Sequence, residues 1–415
     1  MLAEFKIASK TLQSILEKGE HFKVAIKKLG EEKVDSKTIG SVASLVGCEL
    51  RHNLLLQYLC REFDLKEYKY ALLIALANHF FLKKYSDEEI VSNVKEALGD
   101  QYDKEIDSIL NLNENALDLV NREFDSESLE LISLRFNVPT YVLKMWFKHF
   151  GKSLTFKTLK RIIRPYDYYF ALNTNKISEE EFLKNNKDFE KGPIEGLYRS
   201  LSKINVRKSD SYQNYEIYSI RPALKSILDK VDLSNVEEVA LYSGDDDALI
   251  RDIYARSGQK FGIHVAVPLQ DERPDILRLI RLEKAKNINY FEINDFENLK
   301  AHISNKQDVV IVYPASSSFD KISKYPDYLH HFKQDSLDAL IRNQKEVLKG
   351  MANILSDEGK LLYIVDTLDR KESLSIINDF LTSHRDFRLV EQNQLFAFQS
   401  LSGSFYYAIL ERKHD

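Results

Sequence analysis

Hydrophobic positions along the chain follow two different periods. Up to about residue 125 they recur every three or four residues, the spacing of one helix face. Phe5, Ile7, Leu12, Ile15 and Leu16 make one such stripe, and Val42, Leu45, Val46, Leu50, Leu54, Leu55 and Leu59 make another. Tyr70 to Phe81, YALLIALANHFF, is almost wholly apolar, which predicts the buried central helix of a bundle. Ser86 ahead of Asp87-Glu88-Glu89 predicts a helix start, with Ser86 as N-cap and Glu89 at the third helical position. From Val236 the period changes to strands alternating with helices. Strands are predicted at Val236–Tyr242, Phe261–Val267, Ile288–Glu292, Asp308–Tyr313, Leu361–Val365 and Phe405–Leu410. Helices are predicted at Asp246–Arg256, Pro274–Ala285, Ser336–Leu355 and Glu372–Ser383. Repeated strand–helix units imply a mainly parallel sheet with helices on both faces, and ligands bound at the C-terminal strand ends. Between the two regimes, Tyr168–Asn173 reads as a strand, Ser178–Asn185 as a helix with a serine N-cap, and Asn205–Asn214 as a polar surface connection.

Composition changes this picture in three places. A chain of 415 residues suggests two or three domains. Its net charge of -5 gives no overall attraction to nucleic acid, so any basic surface must be local. Leu131 to Tyr166 supplies one: it holds no acidic residue, yet carries Arg135, Lys144, Lys148, Lys152, Lys157, Lys160, Arg161 and Arg164 among Phe136, Tyr141, Trp146, Phe147, Phe150 and Phe156. Basic side chains with interleaved aromatics suit phosphate contacts and base stacking. An amphipathic helix with core aromatics and solvated lysines gives the same pattern. Only two cysteines, Cys48 and Cys60, occur, which fits a reducing compartment and excludes a disulfide framework. The first residues have no apolar segment of a secretory signal, and no run of about 18 apolar residues exists. A soluble, cytoplasmic protein with no membrane partner is expected.

Several segments, in order, resemble the Sun/RsmB type of ribosomal RNA cytosine-5 methyltransferases. LISLRFNVPTYVLKMWFKHFG (Leu131–Gly151) is similar to that family's central signature, with Pro139, Trp146 and Gly151 in place. RPYDYYFALNTNK (Arg164–Lys176) resembles its segment ending in Arg-Val-Asn-Thr, with Asn173 and Thr174 matching and Ala171 replacing the arginine. LVGCELRHNLLLQYL (Leu45–Leu59) resembles an N-terminal helix with a Gly and an Arg, one residue further apart here. Gln344, EGKLLYIV (Glu358–Val365) and SGSFYYAIL (Ser402–Leu410) fit later elements. The resemblance implies an α plus α/β multidomain protein. Residues 1–125 would be an all-α NusB-like bundle, 126–230 a small α+β RNA-binding linker domain, and 231–415 a Rossmann-like domain for S-adenosylmethionine (SAM).

The chemical positions depart from that family. Its cofactor loop is a Pro-Gly-Gly-Lys turn, where glycines admit the cofactor to the backbone. Here the loop is SGDDDAL (Ser243–Leu249), with Gly244 remaining and Asp245, Asp246 and Asp247 filling the rest. Those aspartates would repel the SAM carboxylate, attract its amino group, or simply cap a helix. The ribose-binding acid expected after the second strand is Pro268, with Asp271 and Glu272 out of register. Asp295 matches the adenine-side acid, and equally suits a helix cap. The first cysteine motif becomes YPASSS (Tyr313–Ser318), placing Ser316 or, by aligning prolines, Ala315 at the cysteine. The nucleophilic cysteine of the second motif becomes Asp366. Methylation at cytosine C5 needs a thiolate adding to C6, and neither hydroxyl nor carboxylate replaces it well.

The expected function is therefore binding of structured RNA, ribosomal in kind, on a methyltransferase scaffold that has lost the reaction. The RNA contacts implied are Lys144, Lys148, Lys152, Lys157, Lys160, Arg161, Arg164, Asn173, Lys321 and Lys324, although the loop lysines could merely be solvated. Gly244 and Asp295 are the remaining cofactor candidates, and no catalytic residue is assigned. No metal is expected: the adjacent His330 and His331 diverge, with no Cys or carboxylate cluster beside them in sequence. Ribosome-assembly or transcription factors are the partners expected of a NusB-like bundle. Two alternatives stay open, an active SAM-dependent RNA methyltransferase with a divergent site, and a protein–protein adaptor acting through the bundle.

Overall fold

The computed structural model describes residues 2–62, 70–98, 110, 115–121, 124–125, 127–162, 164, 167–201, 206–244, 246–271, 273–323, 325–401 and 403–413. The chain packs as two compact units. The first comprises Met1–Arg164 together with Lys321–Phe332, and the second comprises Pro165–Asp320 with Lys333–Asp415.

The first unit is helical. Helices Leu2–Lys18, Phe22–Glu31, Ser36–Glu62, Tyr70–Ala77 and Asp87–Leu98 surround one core. Every residue from Ala71 to Ala77 is buried, as the apolar run predicts. Past Ala77 the helix widens into a π turn, Asn78–Leu82, and stops at the left-handed Lys83. Asn78 fixes that end: its side-chain oxygen accepts from the backbone of Lys84 and Tyr85, and its amide donates to the Tyr85 carbonyl. Ser86 and Glu89 exchange the two hydrogen bonds of a capping box at the next helix start.

The basic stretch belongs to this unit, whereas the sequence boundaries put it in a separate linker domain. Its helices, Leu129–Phe136 and Thr140–Ile162, are tied to Ser36–Glu62 by an apolar cluster of Leu131 with Leu55 and Leu59. Asn137 adds a two-way clamp, accepting from the Leu54 amide and donating to the Leu50 carbonyl. Thr140–Ile162 breaks at Gly151, where φ is 76° and ψ 173°, a backbone conformation essentially reserved for glycine.

The second unit holds two sheets. In the smaller, β1 (Tyr169–Leu172), β2 (Phe189–Lys191), β3 (Leu197–Ser200) and β4 (Ile217–Ser219) lie antiparallel in the order β2-β3-β1-β4. Of these only β1 is legible in the sequence pattern, because it is buried along its whole length and the others only in part. In the larger sheet, β5 (Glu238–Ser243), β6 (Gly262–Pro268), β7 (Ile288–Ile293), β8 (Gln307–Tyr313) and β9 (Leu355–Val365) run parallel. Strands β10 (Phe387–Leu395) and β11 (Phe405–Arg412) complete the order β10-β11-β9-β8-β5-β6-β7. Strand β11 is antiparallel to both neighbours. Helices Ala248–Ser257 and Pro274–Glu283 pack on one face, and Gln334–Ala352 and Leu374–Ser383 on the other. The winding reverses between β5 and β8, so their C-terminal ends, Ser243 and Tyr313, flank the switch point where such sheets bind ligands. Among the described residues, no helix is long and apolar enough to cross a membrane.

Glu49 is fully buried in the helical unit, with Asn53 as its side-chain partner. Burial raises its carboxyl to about 8, from 4.5. The folded state thus keeps a proton that the unfolded chain releases from about pH 4.5 upward, so stability falls between pH 4.5 and about 8. Glu49→Gln should flatten this decline and stabilise the protein at pH 7 by roughly 2–3 kcal/mol. Urea unfolding at pH 5 and pH 7 measures it; an equal effect at both pH values would contradict the assignment.

Candidate functional site

At the switch point the loop after β5 presses against the loop after β8. The Gly244 amide donates to the Tyr313 carbonyl at 2.7 Å. A Cβ on Gly244 would lie 2.1 Å from the Ala315 nitrogen, so glycine is needed here for close approach of two backbones. Asp245 lies outside the described residues.

Two arginines fill the ground around these loops. Each is the first half of an Arg-Pro pair at the N-cap of a helix, Arg221 before Pro222–Leu228 and Arg273 before Pro274–Glu283. Proline at the first helical turn fixes where the helix begins and so where the arginine points. Arg273 is buried, 4% exposed. Its guanidinium donates to the Ser243 carbonyl and the Gly244 carbonyl, both at 2.8 Å, and to the Ser243 hydroxyl at 3.0 Å. It also pairs with Asp271 at 2.5 Å and Asp247 at 3.2 Å. Arg221 pairs with Asp246 at 2.9 Å and Asp366 at 3.2 Å, donates to the Tyr313 hydroxyl, and lies over the Phe405 ring.

The described aspartates of the loop, Asp246 and Asp247, are therefore partners of arginines. Asp246 also accepts from the Ala248 amide, so it caps its helix as well. Burial raises the Asp247 carboxyl above its ordinary value, against the pull of Arg273 and Arg251. Asp295 accepts from the Glu297 amide at 2.9 Å and starts a short 3-10 turn, which is the capping alternative. Pro268 ends β6, and Asp271 nearby is taken up by Arg273. The Ser243 and Gly244 carbonyls thus carry a guanidinium, and Pro268 has no side-chain acceptor to offer a ribose.

The two positions likened to cysteines do meet. The Ser316 hydroxyl donates to the Asp366 carboxylate at 2.5 Å, while Ala315 meets Gln344 through its carbonyl. Ser316, not Ala315, thus faces Asp366. Asp366 is wholly buried, and Arg221 holds its second oxygen. Below them Glu372 accepts from the Ser317 amide and from the side chains of Ser317, Thr367 and Gln344. Burial raises its carboxyl above the usual range. Glu372 was expected to begin a helix; that helix starts at Leu374 and leaves Glu372 free for this network. Both cysteines lie in the helical unit, and burial pushes their thiols up to about 11 for Cys48 and about 12 for Cys60, leaving no thiolate at neutral pH.

In the basic stretch Lys144, Lys148, Lys152, Lys157, Lys160 and Arg164 are exposed and Arg161 is half-buried. Lys152 pairs with Glu127 at 2.6 Å. The aromatics divide: Trp146 and Phe136 are core, whereas Phe147 and Phe156 line a cavity of about 350 Å³ with Leu129, Ile132, Lys144 and Lys152. Tyr141 is exposed. Asn173 is buried in the second unit, where its side chain accepts from Asn175, so it is not presented to RNA. Lys321 is half-buried in the helical unit, and Lys324 lies outside the described residues.

Sequence reading missed Arg221 and Arg273. The signal was present as two Arg-Pro pairs, one after each of β4 and β6, that open helices beside the sheet. Replacing Arg273 with Met takes the arginine from Asp271 and leaves Asp247 with Arg251 at 3.7 Å. The expected cost is about 3 kcal/mol, the low end for breaking a buried pair because Asp271 keeps partial solvation. A urea midpoint unchanged in Arg273→Met would show that the network contributes nothing.

No family model matches the sequence. The chain is 23% identical over 372 residues to the "Probable ribosomal RNA small subunit methyltransferase B" of Bacillus subtilis (strain 168), covering 84% of this chain and 81% of that protein. The crystal structure of PH0851 matches with a TM-score of 0.75 at 15% identity, over 99% of both chains. A methyltransferase homolog protein from Pyrococcus horikoshii matches at 0.60 and 15%, over 70% of this chain and all of that one. NSun6 from the same organism, solved with SFG, matches at 0.57 and 13%, over 67% of this chain and 99% of that chain. The structural matches establish the fold, helices followed by a Rossmann-like methyltransferase domain.

Proposed function

We propose that this chain, a divergent relative of the Sun/RsmB ribosomal RNA methyltransferases, binds structured RNA without catalysing methyl transfer. The observation that carries this reading is the buried Arg273 guanidinium on the Ser243 and Gly244 carbonyls, in the crevice a nucleoside cofactor would enter. The loss of both cysteines, at Ser316 and Asp366, and of the ribose acid, at Pro268, supports it. Three separate parts of one site are altered, and each alteration is internally compensated. The scaffold and the exposed lysines remain. RNA phosphates would meet Lys144, Lys148, Lys152, Lys157, Lys160, Arg161 and Arg164, with the cavity beside the paired rings of Phe147 and Phe156, lined also by Glu127, suited to an unstacked base. Ribosomal RNA is the substrate class suggested by the relative's name. The helical bundle, likened to NusB, would serve assembly or transcription factors.

The 23% identity to a named methyltransferase favours an active enzyme as the second reading. Calorimetric titration with SAM separates the two. No heat at millimolar SAM is expected; binding tighter than millimolar would restore the enzyme. For the RNA interface, replacing Lys157, Lys160, Arg161 and Arg164 with Glu should abolish binding to small-subunit ribosomal RNA fragments and flatten its salt dependence. Unchanged affinity would rule out the patch, and with it leave the adaptor reading.

A further inference from the structure

The segment Lys321–Phe332 belongs to the helical unit, and one cluster in it serves neither the arginine network nor the basic surface. Asp327 is buried, 2% exposed, and faces the turn ahead of helix Phe22–Glu31. One carboxylate oxygen, Oδ2, accepts the Phe22 amide at 3.0 Å. The same oxygen lies 3.4 Å from Nδ1 of His21 and 3.3 Å from Nε2 of His331. The other oxygen, Oδ1, is buried with no hydrogen-bond partner, and so is Nε2 of His331. The His331 ring also bonds the Glu20 backbone; with Nε2 turned to Asp327 at 3.3 Å, this bond falls to Nδ1. The two imidazole rings meet edge to face, with centroids 4.7 Å apart.

Three acceptor atoms thus converge within 4.8 Å of one another. The separations of 3.3 and 3.4 Å exceed the usual N–H···O range of about 2.7–3.2 Å. They match the edge of a tetrahedron whose zinc–ligand bonds are about 2.0–2.1 Å, an edge of roughly 3.3–3.4 Å. A histidine with one nitrogen held by a backbone carbonyl and the other turned inward is the usual arrangement of a metal ligand. We propose that His21, Asp327 and His331 bind one divalent transition-metal ion of the zinc class, with solvent in the fourth position. Two imidazoles and a carboxylate suit zinc or its neighbours rather than calcium or magnesium. The solvent position lies on the side of His21, whose side chain is 68% exposed. The ion would pin the segment carrying Asp327 and His331 to the turn at His21. Sequence reading passed over this site because it considered His330 and His331 as a pair. His331 uses partners from the preceding turn and from the far end of the chain, and His330 takes no part.

The test uses the full chain, stripped with a chelator. Zinc titrated by calorimetry should bind one ion per chain with micromolar or tighter affinity, and cobalt should give the visible absorption of a four-coordinate ion. His21→Ala is the deciding variant, because so exposed a ring can be removed without unfolding the unit. It should weaken zinc binding about tenfold or more and abolish the rise in melting temperature that zinc gives the native chain. His331→Gln should do the same, with circular dichroism checking its fold. Absence of zinc heat and cobalt absorption in the native chain would overturn the proposal, as would unchanged zinc affinity in His21→Ala.

Discussion

Charge compensation at the strand ends is the constraint on which the second unit depends. Asp246, Asp247, Asp271 and Asp366 converge on the C-terminal edge of the parallel sheet, where burial makes an unpaired carboxylate costly. Arg221 and Arg273 make that arrangement stable. Each guanidinium bridges elements far apart in sequence, Arg221 from the helix after β4 to the loop after β5 and the end of β9, Arg273 from the loop after β6 to the loop after β5. A rigid, planar group with five donors is suited to such bridging, and lysine would not replace it. The same contacts that hold the sheet edge together occupy the place where this fold receives a ligand. On the proposed reading, stability and loss of the cofactor are one physical event.

The glycine at position 244 shows how far this goes. In a nucleotide site a glycine lets a ligand approach the backbone. Here what approaches is the protein's own chain, with the Ala315 nitrogen where a side chain would begin. On the proposed reading, the residue type has survived while the partner has changed.

What the sequence disclosed follows from how each element earns its stability. Strands β5, β6 and β8 of the sheet interior are nearly continuous apolar runs and were legible to within a few residues, whereas β9 was read only from Leu361 because its first half, LSDEGK, is polar. Ser86 and Glu89 announced their helix through local chemistry that needs no tertiary context. Strand β10 was not seen: it is an edge strand whose residues Arg388, Glu391, Gln392 and Asn393 face solvent, with a register shift between Leu389 and Glu391. Charged edge strands look like loops because an edge has to discourage further pairing. The split of the aromatics between core and cavity was also hidden, since Trp146 and Phe147 differ in sequence by one position and in burial by the helix face each occupies. At the site, single positions could be aligned, and Ser316, one of two residues aligned with the first cysteine motif, lies 2.5 Å from Asp366, aligned with the second. The Arg-Pro pairs of Arg221 and Arg273 mark helix starts, but the roles of the two arginines lie in contacts that the pairs do not encode, 25 and 145 residues away for Arg221 and 26 residues away for Arg273 and Asp247.

These long-range pairs also bear on how such a site changes. Asp366 without Arg221 would be a buried carboxylate that had lost an ion pair; Arg221 without Asp366 and Asp246 would have lost two, keeping the Tyr313 hydroxyl and the Phe405 ring. Residues in one ion network are strongly non-additive, so either member alone is a liability and the set is stable. A cysteine restored at Asp366 would face a guanidinium already committed to Asp246 and Tyr313. A second glycine in place of Asp247 would take one carboxylate from Arg273 and leave that arginine on the carbonyls of Ser243 and Gly244. On the proposed reading, the crevice could not be returned to a nucleoside one residue at a time, because the contacts that close it also compensate the carboxylates at the sheet edge.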